Sequence, residues 1–227
     1  MKKRALPFFA LVVGMLLLSS PVATAQITFS TFNGVPINTR AIAVDGQNIY
    51  IATDVGLYVS NDGGASFTVK TTADGLGSNG TNEIFLDGST IYVATNDGLS
   101  ISTDAGNSFT NIQPGPFSNA NSLSAVFVDG ANIYAGTGFA GLQVSNDGGN
   151  TWDLKGIADG LTSTFVRDVV ADGQNVYVAT NNGLSISNDG GNTFPTTKTA
   201  ADGLANNGAN GVTFENGTLY VVSEGFA

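Results

Sequence analysis

Ser187-Asn188-Asp189-Gly190-Gly191-Asn192-Thr193-Phe194 reads as a tight turn closed by its own side chains, and the chain carries this motif four times. The other copies supply Ser60, Asp62, Gly64 and Phe67, then Ser102, Asp104, Gly106 and Phe109, then Ser145, Asp147, Gly149 and Trp152, matching Ser187, Asp189, Gly191 and Phe194. The four aspartates stand 42, 43 and 42 residues apart. A period of that size is expected of blades stacked around a β-propeller or of another stacked repeat. Within each turn the carboxylate is placed to accept amide hydrogen bonds from its own loop, the glycine permits the reversal, and the aromatic tucks beneath.

Outward from the turn, each unit holds short runs rich in β-branched and aromatic residues, which in the first unit cover 41–44, 48–53, 56–60 and 66–71. The first two runs are joined by Asp45-Gly46, and equivalent places carry Asp87-Gly88, Asp129-Gly130, Asp172-Gly173 and Asn216-Gly217. These dipeptides favour tight hairpins because both residues tolerate positive φ. Five of the six tyrosines (Tyr50, Tyr92, Tyr134, Tyr177 and Tyr220) fall in one column of the second run. Aromatics matched to the period of a strand pattern are expected to pack between neighbouring sheets rather than to form a stacking platform.

The four complete Ser-Asp-Gly-aromatic matches resemble the Asp-box, or BNR repeat, of sialidases, sortilin-type receptors and Ycf48-type photosystem assembly factors. A second resemblance runs over 158–184, where Asp159-Gly160-Leu161, an Asp-Gly turn and Thr180-x-x-Gly183-Leu184 look like the repeat of two-component regulator propellers. Related segments stand at Asp74-Gly75-Leu76 and Asp202-Gly203-Leu204, while the third unit departs with Pro114-Gly115-Pro116-Phe117. Both resemblances imply an all-β propeller of four-stranded antiparallel blades. In Asp-box families the box is structural and lies away from the catalytic centre.

Four units run from about residue 40 to 199, and 211–223 supply the first two strands of a fifth. Residues 27–32 have the character of an outer strand, so the expectation is a five-bladed ring whose last blade is shared between both termini. A truncated part of a larger propeller is the alternative. Lys2, Lys3 and Arg4, the apolar stretch 8–18 and Ala23-Thr24-Ala25 read as a signal peptide over 1–25, with the propeller domain over 26–227. An apolar core of that length falls short of the roughly 20 residues a membrane span needs. Secretion to the periplasm or the extracellular space, with no stable membrane insertion, is therefore expected.

Removal of the leader leaves five basic against 18 acidic residues, a net charge of −13. Such a chain repels phosphate backbones, so nucleic acid is excluded as a partner. The absence of cysteine removes any disulfide framework, and the absence of histidine removes Ser-His-Asp and Cys-His catalysis and histidine-based metal sites. Each turn offers one carboxylate where calcium takes several oxygens, so no metal and no cofactor is expected. A sialidase-like site needs an arginine triad, and the mature chain has only Arg40 and Arg167.

Function is expected in the less uniform loops at the end opposite the Asp-Gly hairpins: 74–83, 113–122, 158–167 and 202–210. One column at the start of the innermost strand reads Arg40, Asn82, Ser124, Arg167 and Gly211, and its neighbour reads Ala41, Glu83, Ala125, Asp168 and Val212. The candidate ligand-binding residues are Arg40, Asn82, Glu83, Phe117, Phe139, Arg167 and Asp168. The arginines are expected either to hold an anion or to pair with Glu83 and Asp168. The leading functional expectation is a monomeric, non-catalytic scaffold for a protein, peptide or glycan. A glycoside hydrolase using Glu83 and Asp168 at the channel, or a Ycf48-like assembly factor, are the alternatives, and the latter family's basic patch is missing from this acidic chain.

Overall fold

A computed structural model describes residues 2–4, 6–7, 35, 38–115 and 122–223. The short strands β1 (Lys2–Arg4) and β2 (Leu6–Pro7), from the expected leader, pair along the inner edges of the second and first blades. The first blade is β3 (Thr39–Asp45), β4 (Asn48–Thr53), β5 (Leu57–Ser60) and β6 (Thr68–Lys70), paired antiparallel in chain order. The second repeats this with β7 (Thr81–Asp87), β8 (Thr90–Thr95), β9 (Gly98–Ser102) and β10 (Thr110–Ile112). The third comprises β11 (Leu123–Asp129), β12 (Asn132–Thr137), β13 (Leu142–Ser145) and β14 (Asp153–Lys155). The fourth comprises β15 (Val166–Asp172), β16 (Asn175–Thr180), β17 (Gly183–Ser187) and β18 (Thr196–Lys198). A fifth sheet pairs β19 (Ala209–Glu215) with β20 (Thr218–Ser223). Residues 27–32, expected to supply the outer strand of that blade, lie outside the described residues, as does most of the expected leader.

First strands pack in series, β3 on β7, β7 on β11, β11 on β15 and β15 on β19, which sets the sheets side by side as blades of a β-propeller. The core lies between blades. Ala41, Ala43, Tyr50 and Leu57 of the first meet Ile84, Leu86, Ile91 and Val93 of the second, and Ala125, Tyr134, Leu142 and Val144 of the third meet Val169, Val176 and Val178 of the fourth. The tyrosine column does pack as expected: Tyr134 is fully buried and donates its hydroxyl to the Gly190 carbonyl of the next blade at 3.3 Å. Tyr220, in the last sheet, is 56% exposed.

The turns close themselves as their composition predicts. Asp189 Oδ1 accepts from the Thr193 amide at 2.9 Å and from Ser187 Oγ at 2.7 Å, Oδ2 accepts from Thr193 Oγ1 at 2.6 Å, and Ser187 Oγ accepts from the Gly191 amide at 2.9 Å. The same bonds recur around Asp62, Asp104 and Asp147. Because Ser66 is spent on Asp62, the outer strand expected over 66–71 begins only at Thr68. The turn also sits against the neighbouring hairpin, with Gly190 N donating to Gln174 O at 2.9 Å, so both lie at one end of the blade.

Candidate ligand-binding cleft

At the opposite end, every first strand is irregular at its start. The pairing skips one residue between Thr39 and Ala41, Thr81 and Glu83, Leu123 and Ala125, Val166 and Asp168, and Ala209 and Gly211. The skipped residues are Arg40, Asn82, Ser124, Arg167 and Asn210. A bulge bends the strand and re-aims the side chain of its extra residue. This corrects the fifth position of both columns: Gly211 pairs with Val222 as Ala41 pairs with Ala52, so Asn210 belongs with the arginines and Gly211 with Glu83 and Asp168.

The bulge residues are joined from blade to blade. Arg40 Nη1 donates to Asn82 Oδ1, and Asn82 Nδ2 donates both to Asn96 Oδ1 at 3.0 Å and to the Leu123 carbonyl at 2.6 Å. Ser124 Oγ donates to the Val166 carbonyl at 2.6 Å, and Arg167 Nε donates to Asn181 Oδ1. Asn96 is seated against Gly80, where a Cβ would lie 2.2 Å from Asn96 Nδ2. Between these groups lies a cleft of about 320 Å³ lined by Arg40, Asn82, Asn96, Ser122, Ser124 and Gly138. Directly after Gly138, Phe139 is 64% exposed and meets Phe165 edge-on, with ring centroids 5.2 Å apart.

The expected carboxylates are not in this cleft. Glu83 and Asp168 stand one residue past the bulge and are buried at 2% and 0% exposure. Their column faces the next blade, where Asp168 Oδ2 accepts from the Val212 amide at 2.8 Å while Oδ1 accepts from its own neighbour Val169 at 2.8 Å. Neither is the partner of an arginine in the hydrogen bonds described above, because the bulge sends the two columns in different directions. Arg167 lies in the same ring as Arg40 but outside the cleft lining, and Phe117 lies outside the described residues. Asn96, Ser122 and Phe165 were not among the individual candidates, although Ser122 and Phe165 lie in the loops 113–122 and 158–167 where function was expected. Asn96 was detectable as the partner of Asn181 in the short second-to-third-strand connections, whereas Ser122 and Phe165 carry no repeat signal.

The long connections are also less open than their sequence suggests. Residues 72–74, 157–159 and 200–202 each form a single 3-10 turn, and the aspartate at its end accepts the amide of the residue before it, as Asp159 Oδ2 does from Gly156 N at 2.8 Å. The following Leu76 and Leu161 are buried in the core between blades. These turns wedge the start of each connection against the blades. Among the described residues no group of three or more acidic side chains is gathered for a metal, and no helix is long and apolar enough to cross a membrane.

No protein-family model and no curated protein matches the sequence. Solved structures do match in fold. An ancestral GH74 enzyme superposes with a TM-score of 0.65 at 23% identity, over 81% of this chain and 27% of the other. The extracellular domain of a putative one-component system from B. thetaiotaomicron gives 0.69 at 18% identity, over 86% and 27%. YCF48 bound to D1 peptide gives 0.56 at 15% identity, over 86% and 63%. The chain thus spans about a quarter of the length of the first two. At these identities the likeness establishes the β-propeller fold.

Proposed function

We propose that the chain is an exported, non-catalytic propeller of Asp-box repeats that binds a protein, peptide or glycan at the end carrying the bulges. The observation that carries this reading is the cleft itself, whose polar groups are pre-set by the Arg40–Asn82–Asn96 network, with the exposed Phe139 next in the chain to its lining residue Gly138. Concave sites with a few convergent polar groups and aromatic walls are where ligands bind. The burial of Glu83 and Asp168 between blades supports a role without hydrolysis. The YCF48 structure that holds a peptide is consistent with a binding role, and the extracellular domain of the putative one-component system with a place outside the cell. Loss of residues 1–25 would also release the inner strand edges that β1 and β2 occupy.

Gly138 offers a direct test. It lines the cleft, and a Cβ built on it meets nothing within 4 Å. Gly138→Trp is expected to fill the cleft and abolish capture from peptide and oligosaccharide arrays, with the thermal transition unchanged. Capture that survives this substitution, or glycoside turnover lost in Glu83→Gln, would overturn the reading.

A further inference from the structure

The polar groups that the cleft leaves unspent specify a ligand class, and this step rests on the binding role proposed above. We propose that the cleft takes a carboxylate-bearing sugar, a uronic acid residue of an acidic oligosaccharide. Arg40 spends one N–H on the neutral Asn82 side chain and forms no ion pair among the described residues. Among the described residues, then, no carboxylate sits on this guanidinium, in a chain with five basic and 18 acidic residues past the leader. A guanidinium held at one corner by a carboxamide presents its remaining N–H groups in the planar fork that a carboxylate fits.

The surrounding groups are neutral. Asn96 uses its Oδ1 on Asn82 and keeps its Nδ2 hydrogens, Ser122 keeps its hydroxyl, and Ser124 donates to Val166 while its lone pairs remain. Donors and acceptors of that kind match vicinal hydroxyls. Phe139, braced edge-on by Phe165, offers an exposed ring face next to Gly138, suited to the apolar C–H face of a pyranose. At about 320 Å³ the cleft sits at the small end of ligand pockets, roughly 300–1,000 Å³, which suits one or two sugar rings. A phosphate or sulfate dianion would ask for more cationic groups than this one arginine. The acidic surface beyond the cleft disfavours long polyanions.

The test is calorimetric titration of the full chain with three probes: a short oligogalacturonate, a neutral cello-oligosaccharide of equal length, and an acidic tetrapeptide. The oligogalacturonate is expected to bind at least tenfold more tightly than the other two. Arg40→Gln should cost it tenfold or more and Phe139→Ala several-fold, while Arg167→Gln, outside the cleft, should change nothing. Circular dichroism of each variant checks folding. Equal binding of the neutral sugar, preference for the peptide, or indifference to Arg40→Gln overturns the uronate assignment while leaving the binding role standing. Failure of all three probes also overturns the uronate assignment, while the binding role falls only if the arrays capture nothing that Gly138→Trp abolishes.

Discussion

Asp168 holds two blades together through one carboxylate, accepting the amide of Val212 across the sheet boundary at 2.8 Å and the amide of Val169 within its own strand at 2.8 Å. The group is fully buried, so both amides lose this carboxylate acceptor if it is removed. A buried amide that loses its acceptor costs about 1–3 kcal/mol. With two such amides, Asp168→Ala should lower the unfolding free energy by about 2–6 kcal/mol in urea titration. Arg167→Ala, one residue away but exposed, should fall within about 0.5 kcal/mol of the parent. Equal, small effects of both would show that Asp168 does not clamp the blades.

That neighbouring pair also marks where sequence reasoning ends. Turn chemistry is local, so the Asp-Gly hairpins and the self-closed turns around Asp62, Asp104, Asp147 and Asp189 were legible from residue types alone. The packing of Tyr50 and Tyr134 between blades followed from the period of their column, though Tyr220 in the last sheet is exposed. The bulges were not legible, because an extra residue changes neither composition nor spacing within the unit and is defined only by the partner strand. Arg167 is itself such an extra residue, directed to the open end, while the next residue, Asp168, is directed into the core. The same shift moves Asn210 into the ring in place of Gly211. Phe165 could not be assigned because its partner Phe139 is distant in the chain and belongs to another blade.

The turn aspartates set the acid limit of the fold. Hydrogen bonds from the side chain and then the backbone of Ser66, with Ser60 behind them, hold the Asp62 carboxyl down at about 2. Thr151 and Ser145 do the same for Asp147 at about 2, Thr193 and Ser187 for Asp189 at about 2, and Ser108 and Ser102 depress Asp104 further. A carboxyl whose folded pKa is depressed contributes stability above its unfolded value, near 3.8, and loses it as pH falls through the folded value. The urea midpoint should thus hold from neutral pH to about pH 5 and decline mainly between about pH 4 and pH 2. Asp189→Asn should lower the neutral plateau and shallow that decline. A profile with an unchanged slope would show that the turn bonds are not maintained in solution.

Two tyrosines from the same column should respond differently to truncation. Tyr134 is fully buried against the next blade, while Tyr220 is 56% exposed. Removing a buried aromatic costs about 3–5 kcal/mol, so Tyr134→Ala should approach that range and Tyr220→Ala should stay near 0.5 kcal/mol, about the size of a surface change. Desolvation, aided by the charge of Asp129, also pushes the Tyr134 hydroxyl up to about 12. A raised folded pKa gives stability that is complete below the unfolded value of about 10 and is lost as pH rises toward 12. Tyr134→Phe should reduce the alkaline loss seen in a melt series above pH 10. Identical costs at Tyr134 and Tyr220 would mean that the last sheet is covered in solution by something the described residues do not include.

Gly160 and Gly203 separate backbone strain from blade packing. Both end a 3-10 turn with left-handed backbone, at φ +100° and +106°. At Gly160 a Cβ would stand 2.3 Å from the carbonyl oxygen of Phe194, whose amide donates to Asp159 at 2.8 Å, so the turn is wedged against the aromatic of the next self-closed turn. At Gly203 a Cβ meets nothing within 4 Å. Alanine in the left-handed region costs about 1–2 kcal/mol at either site. Forcing a methyl into a packed contact adds about 1–3 kcal/mol, which only Gly160 incurs. Gly160→Ala should therefore be destabilised by the sum and Gly203→Ala by the first amount alone, read from urea midpoints at constant slope. Equal losses would place another element against Gly203 and so argue that the fifth blade meets a further turn, as a closed ring would require.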